Sequence, residues 1–209
     1  MPTSKSYLCL TAAALFFTFI SAASADQPPV EPSAHLIAAA RAQIGVTTRY
    51  DPAFVKLTYP GGDIPRDRGV CTDVVIRAYR DAFGVDLQKL VHEDMAANFA
   101  SYPTRWGLKA PDTSIDHRRV LNLRVFFKRH GTELPVTANP ADYAPGDLVT
   151  QELPGNLPHI AIIADTKSAD DARPLVIQNI GQGTSLDDTL FTYMITGHYR
   201  YALASTPAK

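Results

Sequence analysis

One cysteine and one histidine in this sequence have the side chains that acyl transfer requires. Cys71 lies in the segment GVCTDVVIRAYRDAFG, and His159 opens the apolar segment HIAIIAD. A thiol becomes a strong nucleophile when a base accepts its proton, and imidazole is the usual base near neutral pH. The pair therefore predicts attack of a thiolate on a carbonyl carbon. A small buried apolar side chain is the structural alternative for Cys71.

The sequence around Cys71 favours the catalytic interpretation. Residues 72–83 place apolar side chains on one helical face and are followed by Gly84, so Cys71 is expected in the first turn of a helix. The unpaired N–H groups and the dipole at a helix N-terminus stabilise a thiolate. The same N–H groups can stabilise an oxyanion that forms beside the sulfur.

His159 is the histidine best placed to act as the base. It follows the turn segment LPGNLP, so its ring should project from the end of a strand. Other histidines lie in polar helical segments, before a helix-ending glycine or among aromatic residues: His92, His117, His130 and His198. A third group usually orients the imidazole, and the next strand offers Gln178 and Asn179. Adjacent strand residues face opposite sides, so only one of them can reach the ring.

The composition excludes several other classes of function. Twenty basic and 21 acidic residues give a net charge of −1 without a basic run, so nucleic acid is not an expected partner. The segment HEDM at residues 92–95 lacks the second histidine of the zinc motif HExxH, and no cysteine pair is present. GGD at residues 61–63 lacks the Lys-Ser/Thr of a phosphate loop. We therefore expect neither a metal ion nor a cofactor.

The first residues predict export. A basic residue precedes an apolar stretch at residues 7–20, and Ala-Ser-Ala at 23–25 suits signal peptidase, so residues 1–25 are interpreted as a signal peptide. The apolar stretch is shorter than the roughly 20 residues that span a bilayer, and no membrane span is expected after cleavage. Loss of Cys9 would leave Cys71 as a lone thiol in an oxidising periplasmic or extracellular compartment.

The rest of the chain predicts one α+β domain at residues 33–203, between a linker at 26–32 and a tail at 204–209. Helices are predicted at four places: 33–44 with Ser33 as the cap, 72–83, 86–102 and 116–129. Residues 46–69 predict a long ordered loop. Strands are predicted at 147–151, 159–165, 175–180 and 192–201. Helices followed by strands predict an antiparallel sheet packed on the helix of the nucleophile.

Several segments resemble a family of cell-wall enzymes. ARAQIGVTTRYDP, GVCTDVVIRAYRDAFGVDL, PGDLV and HIAIIAD are similar to the NlpC-type cysteine peptidases. LVHEDM, IDHRRVLNL and QNIGQG more closely resemble the bacterial family called domain of unknown function 1287. The resemblance extends from Ala38 to Tyr201. It implies a papain-like fold in which Cys71 is the nucleophile, His159 the base and Gln178 the third residue, with peptidoglycan or its peptide stems as the substrate.

The resemblance also implies roles for residues near the nucleophile. Tyr50 has the place of a tyrosine that helps bind the oxyanion in NlpC-type enzymes. Gln178 is a departure, since the closer family often has histidine there, although an amide oxygen can still accept the imidazole N–H. Cys-Thr-Asp replaces the Asp-Cys-Ser of the broader group, so Asp73 is expected to hold the loop or the substrate amine.

A charged segment provides candidates for substrate binding. We hypothesise that the segment IDHRR lines the cleft and that one arginine pairs with a stem-peptide carboxylate. The candidate substrate contacts are Asp116, His117, Arg118 and Arg119, together with Asn179. A charged helix start with salt bridges is the structural alternative. Two other functions remain open: an acyltransferase or transpeptidase with the same pair, and a catalytically silent cell-wall-binding module.

Overall fold

The structure is a computed structural model, which describes Met1 and residues 31–201. Apart from Met1, the predicted signal peptide lies outside the described residues, as do the tail at 204–209 and most of the linker. The described residues form an α+β protein with four α-helices and an antiparallel sheet, which confirms the fold class. In this part of the chain, no helix combines the length and apolar character that crossing a membrane requires.

The helices agree with the sequence-based predictions best at the nucleophile. The four helices are α1 (Pro32–Arg41), α2 (Cys71–Phe83), α3 (Leu87–Ala97) and α4 (Val120–His130). Helix α2 begins where Asp73 accepts the backbone N–H of Val70 at 2.7 Å, which satisfies a donor that the helix leaves free. It ends at Gly84, whose φ of 67° is accessible to glycine at little cost.

Other helix boundaries differ from the predictions. Helix α1 starts at Pro32, so Ser33 lies inside its first turn and Glu31 is the N-cap residue, without a side-chain cap. The predicted helix at 86–102 ends at Ala97 and is followed by a 3-10 turn at Phe99–Ser101. The predicted helix at 116–129 is divided, because Arg119 adopts an extended conformation between a 3-10 turn at Asp116–Arg118 and α4.

A six-stranded antiparallel sheet forms the second layer. Its order is β3-β8-β4-β5-β6-β7. The strands are β3 (Thr132–Leu134), β4 (Leu148–Leu153), β5 (Leu157–Lys167), β6 (Pro174–Asn179), β7 (Thr184–Asp187) and β8 (Met194–Arg200). The four longer strands were predicted, whereas β3 and β7 were not. His159 lies near the start of the central strand β5, and Gln178 lies on the neighbouring strand β6.

The main hydrophobic core lies between the helices and this sheet. Val75 and Tyr79 of α2 are fully buried, as are Ile160 and Ile162 of β5 and Ile177 of β6. A smaller cluster that includes Ala161 and Ile163 covers the opposite face, as strand alternation requires. Helix α2 is therefore packed against β5 and β6, the strands that carry His159 and Gln178.

The long loop before α2 is ordered by pairing and by a buried arginine. Strand β1 (Arg49–Tyr50) pairs in parallel with β2 (Arg68–Gly69) at the loop's two ends, and Tyr50 lies opposite Gly69. The Arg77 guanidinium is fully buried and donates to Asp63 and to the backbone carbonyls of Arg68 and Ile64. These contacts bring Tyr50 beside the start of α2.

Candidate active site

The thiol of Cys71 lies at the first residue of α2 and is 4% exposed. Backbone N–H groups of Cys71, Thr72 and Ile160 lie near enough to the sulfur to lower the pKa of the thiol. Ile160 follows His159 in β5, so Cys71 lies near the part of β5 that contains His159.

Burial controls the protonation of this thiol. Desolvation raises the pKa of Cys71 to about 11, and the neighbouring Asp73 carboxylate raises it further, while the three backbone N–H groups lower it. The N–H groups at the helix N-terminus favour the thiolate, as expected, but desolvation of the buried side chain outweighs them in the free protein. The resting site contains a neutral thiol.

The imidazole of His159 is held by Gln178. The ring nitrogen Nε2 lies 2.8 Å from Oε1 of Gln178, and both side chains are buried. Burial lowers the pKa of His159 to about 4, although the hydrogen bond with Gln178 and the negative charge of Asp187 both raise it. The ring is therefore neutral at pH 7 and can accept a proton.

The structure decides between the two polar residues of β6. Gln178 reaches the imidazole, whereas the side chain of Asn179 donates to the backbone carbonyl of Gly69 at 3.0 Å. The Asn179 oxygen accepts the N–H groups of Gly181 and Gly183. Asn179 thus ties the loop after β6 to the residue that precedes Val70, and it is not a lining residue of the cleft described below.

The neutral thiol predicts a particular pH dependence of alkylation. Because only the thiolate reacts, the rate of Cys71 alkylation by iodoacetamide should rise about tenfold per pH unit from pH 7 to pH 10. Quenched-flow mass spectrometry of the intact protein measures this rate. A small free thiol, with a pKa of about 8.5, serves as the control because its rate levels off earlier. A plateau between pH 6 and pH 8 would instead reveal a preformed thiolate–imidazolium pair and contradict the prediction.

Sequence inspection missed the residues behind Gln178. The Gln178 amide nitrogen donates to Asp187 at the end of β7 and to the hydroxyl of Thr189, both at 2.9 Å. Gln151, which faces His159 across β4 and β5, donates to the backbone carbonyls of Thr189 and Leu190. Asp187, Thr189 and Leu190, but not Asp188, therefore support the His159–Gln178 pair from behind. The sequence of residues 187–190, DDTL, is indistinguishable from an ordinary polar turn.

Tyr50 lies at the open side of the site. Its side chain is partly exposed and lines the same cleft as Cys71. Desolvation, with the nearby Cys71 and Asp73, raises the pKa of Tyr50 to about 12. The phenol therefore keeps its proton at neutral pH and can donate a hydrogen bond to an oxyanion.

A cleft of about 270 Å³ opens onto Cys71. Its walls come from the Tyr50 loop, from α2, from the turn before β5 and from the segment that contains Arg105 and Trp106. A larger cavity of about 430 Å³ lies between α1, Phe83 and residues 144–147, away from Cys71 and His159. The smaller cleft is the candidate site because it contains the thiol.

Arg118 and Asp73 form a buried ion pair beside the cleft. Nε and Nη2 of Arg118 donate to the two carboxylate oxygens of Asp73 at 2.9 and 3.0 Å. The guanidinium also donates to the backbone carbonyls of Asp51 and Ala53. Arg118 lines the cleft, but its donors are directed at the protein. Asp73 holds this loop, one of its two expected roles, and Arg118 acts as a structural brace.

The other members of the charged segment lie away from the thiol. Asp116 is fully buried and bonds to His92 and to the backbone N–H of Asp112. His117 is buried, and desolvation lowers its pKa to about 3. Arg119 stacks over the ring of Trp106 at 4.2 Å. Of the four residues expected to line the cleft, Arg118 alone does so, because a 3-10 turn directs successive side chains in different directions.

Two buried neutral histidines predict acid lability. His159 and His117 have native pKa values of about 4 and 3, whereas an unfolded histidine titrates near 6.5. The unfolded chain binds more protons as the pH falls below 6.5, so the free energy of unfolding should decrease by about 2 to 3 kcal/mol for each histidine at pH 4.5. Urea unfolding at pH 7 and pH 4.5 measures the change.

Single variants separate the two contributions. His117→Gln should reduce the difference in unfolding free energy between pH 7 and pH 4.5, and His159→Gln should do the same. Replacement of the exposed His35 by Gln is the matched control and should leave the difference unchanged. Equal pH dependence in all four proteins would show that the buried rings do not titrate as described.

The fold defines an α+β protein in which the helix that begins at Cys71 packs on an antiparallel sheet. Among the described residues, no cluster of three or more His, Cys, Asp or Glu side chains is arranged to hold a metal ion. Residues 37–201 match the model of the family described as domain of unknown function DUF1287, so the chain belongs to this family. This confirms the closer resemblance seen in the sequence.

A protein of Escherichia coli (strain K12), called uncharacterized protein YijF, is similar to this chain over nearly its whole length. The two are 52% identical over 203 residues, which cover 94% of this chain and 98% of that protein.

Proposed function

We propose that this protein is an exported cysteine hydrolase of papain-like, NlpC-type fold that cleaves an amide or peptide bond in peptidoglycan. The proposal is supported by the Cys71 thiol at the N-terminus of α2, a helix packed on β5, and by the buried His159 imidazole of β5, whose Nε2 is held by Gln178. Nucleophilic catalysis needs these three groups in this order. The predicted signal peptide and the likeness to cell-wall peptidases support a periplasmic or secreted protein that acts on peptidoglycan or its peptide stems.

The first chemical step is proton transfer from the thiol. Because Nε2 of His159 donates to the Gln178 oxygen, the lone pair of the neutral ring is on Nδ1. Nδ1 accepts the thiol proton as the sulfur attacks the substrate carbonyl. A high thiol pKa and a low imidazole pKa make this transfer costly before substrate binds, so the reactive pair forms only during the reaction.

The oxyanion and the leaving group complete the cycle. The backbone N–H of Cys71 and the hydroxyl of Tyr50 donate to the developing oxyanion. The C–N bond then breaks, and the imidazolium of His159 gives its proton to the departing amine. A water molecule, deprotonated by the same imidazole, hydrolyses the thioester and restores the thiol.

An acyltransferase or transpeptidase is the alternative enzyme. It would form the same thioester at Cys71 and differ only in the nucleophile that resolves it. Mass spectrometry of products formed with and without an added amino-acid amine distinguishes the two. An amide with the added amine as the dominant product would replace the hydrolase by a transferase, whereas free carboxylate products support hydrolysis.

A silent cell-wall-binding module is the alternative from another class. A peptide-amide probe with a thiol-reactive group should label Cys71 in the wild-type protein and label His159→Gln much more slowly. If Cys71 is not labelled and His159→Gln still sediments with purified sacculi, the protein binds the wall without catalysis.

A further inference from the structure

The carboxylate of Asp187 contacts the same Gln178 amide that holds the imidazole of His159. Its oxygen Oδ2 accepts two hydrogen bonds, from the Gln178 amide at 2.9 Å and from the Ser185 hydroxyl at 2.6 Å. Thr189 supplies a second acceptor for the same amide nitrogen, also at 2.9 Å. A carboxylate has no proton to donate, so the Gln178 group that faces Asp187 must be the NH₂ group.

We propose that Asp187 is a positioning residue that fixes the Gln178 amide and thereby selects the tautomer of His159. With its NH₂ group turned to Asp187, Gln178 presents only its oxygen to His159. Nε2 must then carry the proton, which leaves Nδ1 free to accept one from Cys71. If the amide were reversed, its NH₂ group would face Nε2, the proton would move to Nδ1, and the base would be lost.

Two further observations support this role. Thr189 is held by the Gln151 amide, so the acceptors behind Gln178 are fixed in place. The charge of Asp187 also favours the imidazolium that forms when His159 takes the thiol proton. The proposal rests on the thiol mechanism given above, but the tautomer of His159 can be read without any turnover.

The test compares an apolar substitution with a conservative one. Asp187→Leu removes the acceptor, whereas Asp187→Asn can still accept from Gln178 through its oxygen. Nitrogen-15 NMR of the His159 ring should show the Nε2–H tautomer in the wild-type protein and in Asp187→Asn. It should show a mixed or Nδ1–H tautomer in Asp187→Leu, with kcat on muropeptides lowered about 10- to 100-fold and KM little changed.

A neighbouring acid provides the matched control. Asp188 pairs with Arg173 on the surface, and Asp188→Leu should keep the tautomer and kcat of the wild-type protein. Thermal melting verifies that each variant is folded. A folded Asp187→Leu protein that retains the Nε2–H tautomer would overturn the proposal, whatever its activity. Correct tautomers in a protein without hydrolase activity would instead reject the proposed function.

The cleft that contains Cys71 is lined by positively charged side chains. Its lining contains two guanidinium groups, Arg105 and Arg118, and no carboxylate. The Asp73 carboxylate neutralises Arg118, whereas exposed Arg105 forms no ion pair within the described residues. The wall that faces Cys71 therefore has an excess of positive charge.

We infer that Arg105 is an anion-binding residue and that the substrate carries a carboxylate near the bond attacked by Cys71. A planar guanidinium with free donors binds a carboxylate through two parallel hydrogen bonds. Arg105, and not Arg118, whose donors are occupied by Asp73 and by loop carbonyls, is then the contact for this carboxylate. Within the proposed function, the substrate class is therefore an acidic peptide.

Two alkylating reagents test the charge at the thiol without any hydrolase activity. Iodoacetate is anionic and iodoacetamide is its neutral counterpart, so the ratio of their rates with Cys71 reports the local potential. Arg105→Gln should lower this ratio about threefold at low salt. Lys167→Gln, at the far end of β5, is the control and should not change it. An unchanged ratio in Arg105→Gln would overturn the inference.

A second measurement tests substrate binding. Arg105→Gln should raise KM about tenfold for a stem peptide with a free carboxylate, and leave KM unchanged for the same peptide with that carboxylate amidated. Equal changes for both peptides would reject Arg105 as the carboxylate contact. If the wild-type protein cleaves neither peptide, the proposed function is rejected. The ratio of the two alkylation rates still shows whether Arg105 makes the potential at Cys71 more positive.

Discussion

Replacing His159 with Gln is expected to lower kcat/KM on muropeptides by about 10³- to 10⁴-fold. Glutamine can keep a hydrogen bond to Gln178, but it cannot accept a proton from the buried thiol, whose pKa of about 11 leaves little thiolate at neutral pH. Steady-state kinetics of the purified variant measures this loss.

A double variant tests whether the two residues act as a unit. Cys71→Ala should abolish turnover, and Cys71→Ala combined with His159→Gln should be no worse than Cys71→Ala alone. Replacement of the exposed His35 by Gln is the control and should retain full activity. Near-normal kcat/KM in His159→Gln would show that another group accepts the thiol proton and would contradict the assignment.

Replacing Arg118 with Met is expected to lower the free energy of unfolding by about 3 to 5 kcal/mol. The change leaves the buried carboxylate of Asp73 without its bidentate partner and frees the loop carbonyls of Asp51 and Ala53. An unpaired buried charge costs far more than a broken surface pair. Urea unfolding at pH 7 measures the loss.

A surface ion pair gives the matched comparison. Lys128 and Glu133 lie 2.7 Å apart with side chains 63% and 44% exposed, so Lys128→Met should change the unfolding free energy by less than about 1 kcal/mol. Equal effects in the two variants would show that Arg118 does not brace the loop. If Arg118→Met raises KM without loss of stability, Arg118 contacts the substrate directly, as the sequence first suggested.

The helix of the nucleophile was predictable because its signals are local. Its amphipathic pattern and the glycine at position 84 locate α2 to within one residue, and the strands that carry His159 and Gln178 follow from their apolar runs. Strands β3 and β7 were missed because they are only three and four residues long, which is too short for an alternating pattern to be recognised. The start of α1 was misplaced because Ser33 resembles a cap, although Pro32 already occupies the first turn.

The chemistry of the site depends on burial, which the sequence does not reveal. A cysteine at a helix N-terminus predicts a thiolate, yet desolvation raises the pKa of Cys71 more than the backbone N–H groups lower it. The pairing of Arg118 with Asp73 joins residues 45 positions apart, and the support of Gln178 by Asp187 depends on the β6–β7 register. Each of these contacts depends on tertiary packing, so no local or periodic pattern in the sequence predicts it.

Mass spectrometry of muropeptides incubated with the wild-type protein and with Cys71→Ala tests whether Cys71 is the nucleophile of a peptidoglycan hydrolase. We expect new fragments from the wild-type protein whose masses correspond to addition of water across one amide bond, and unchanged muropeptides with Cys71→Ala. The same fragments from Cys71→Ala, or unchanged muropeptides with both proteins, would contradict the assignment of Cys71 as the nucleophile of a peptidoglycan hydrolase.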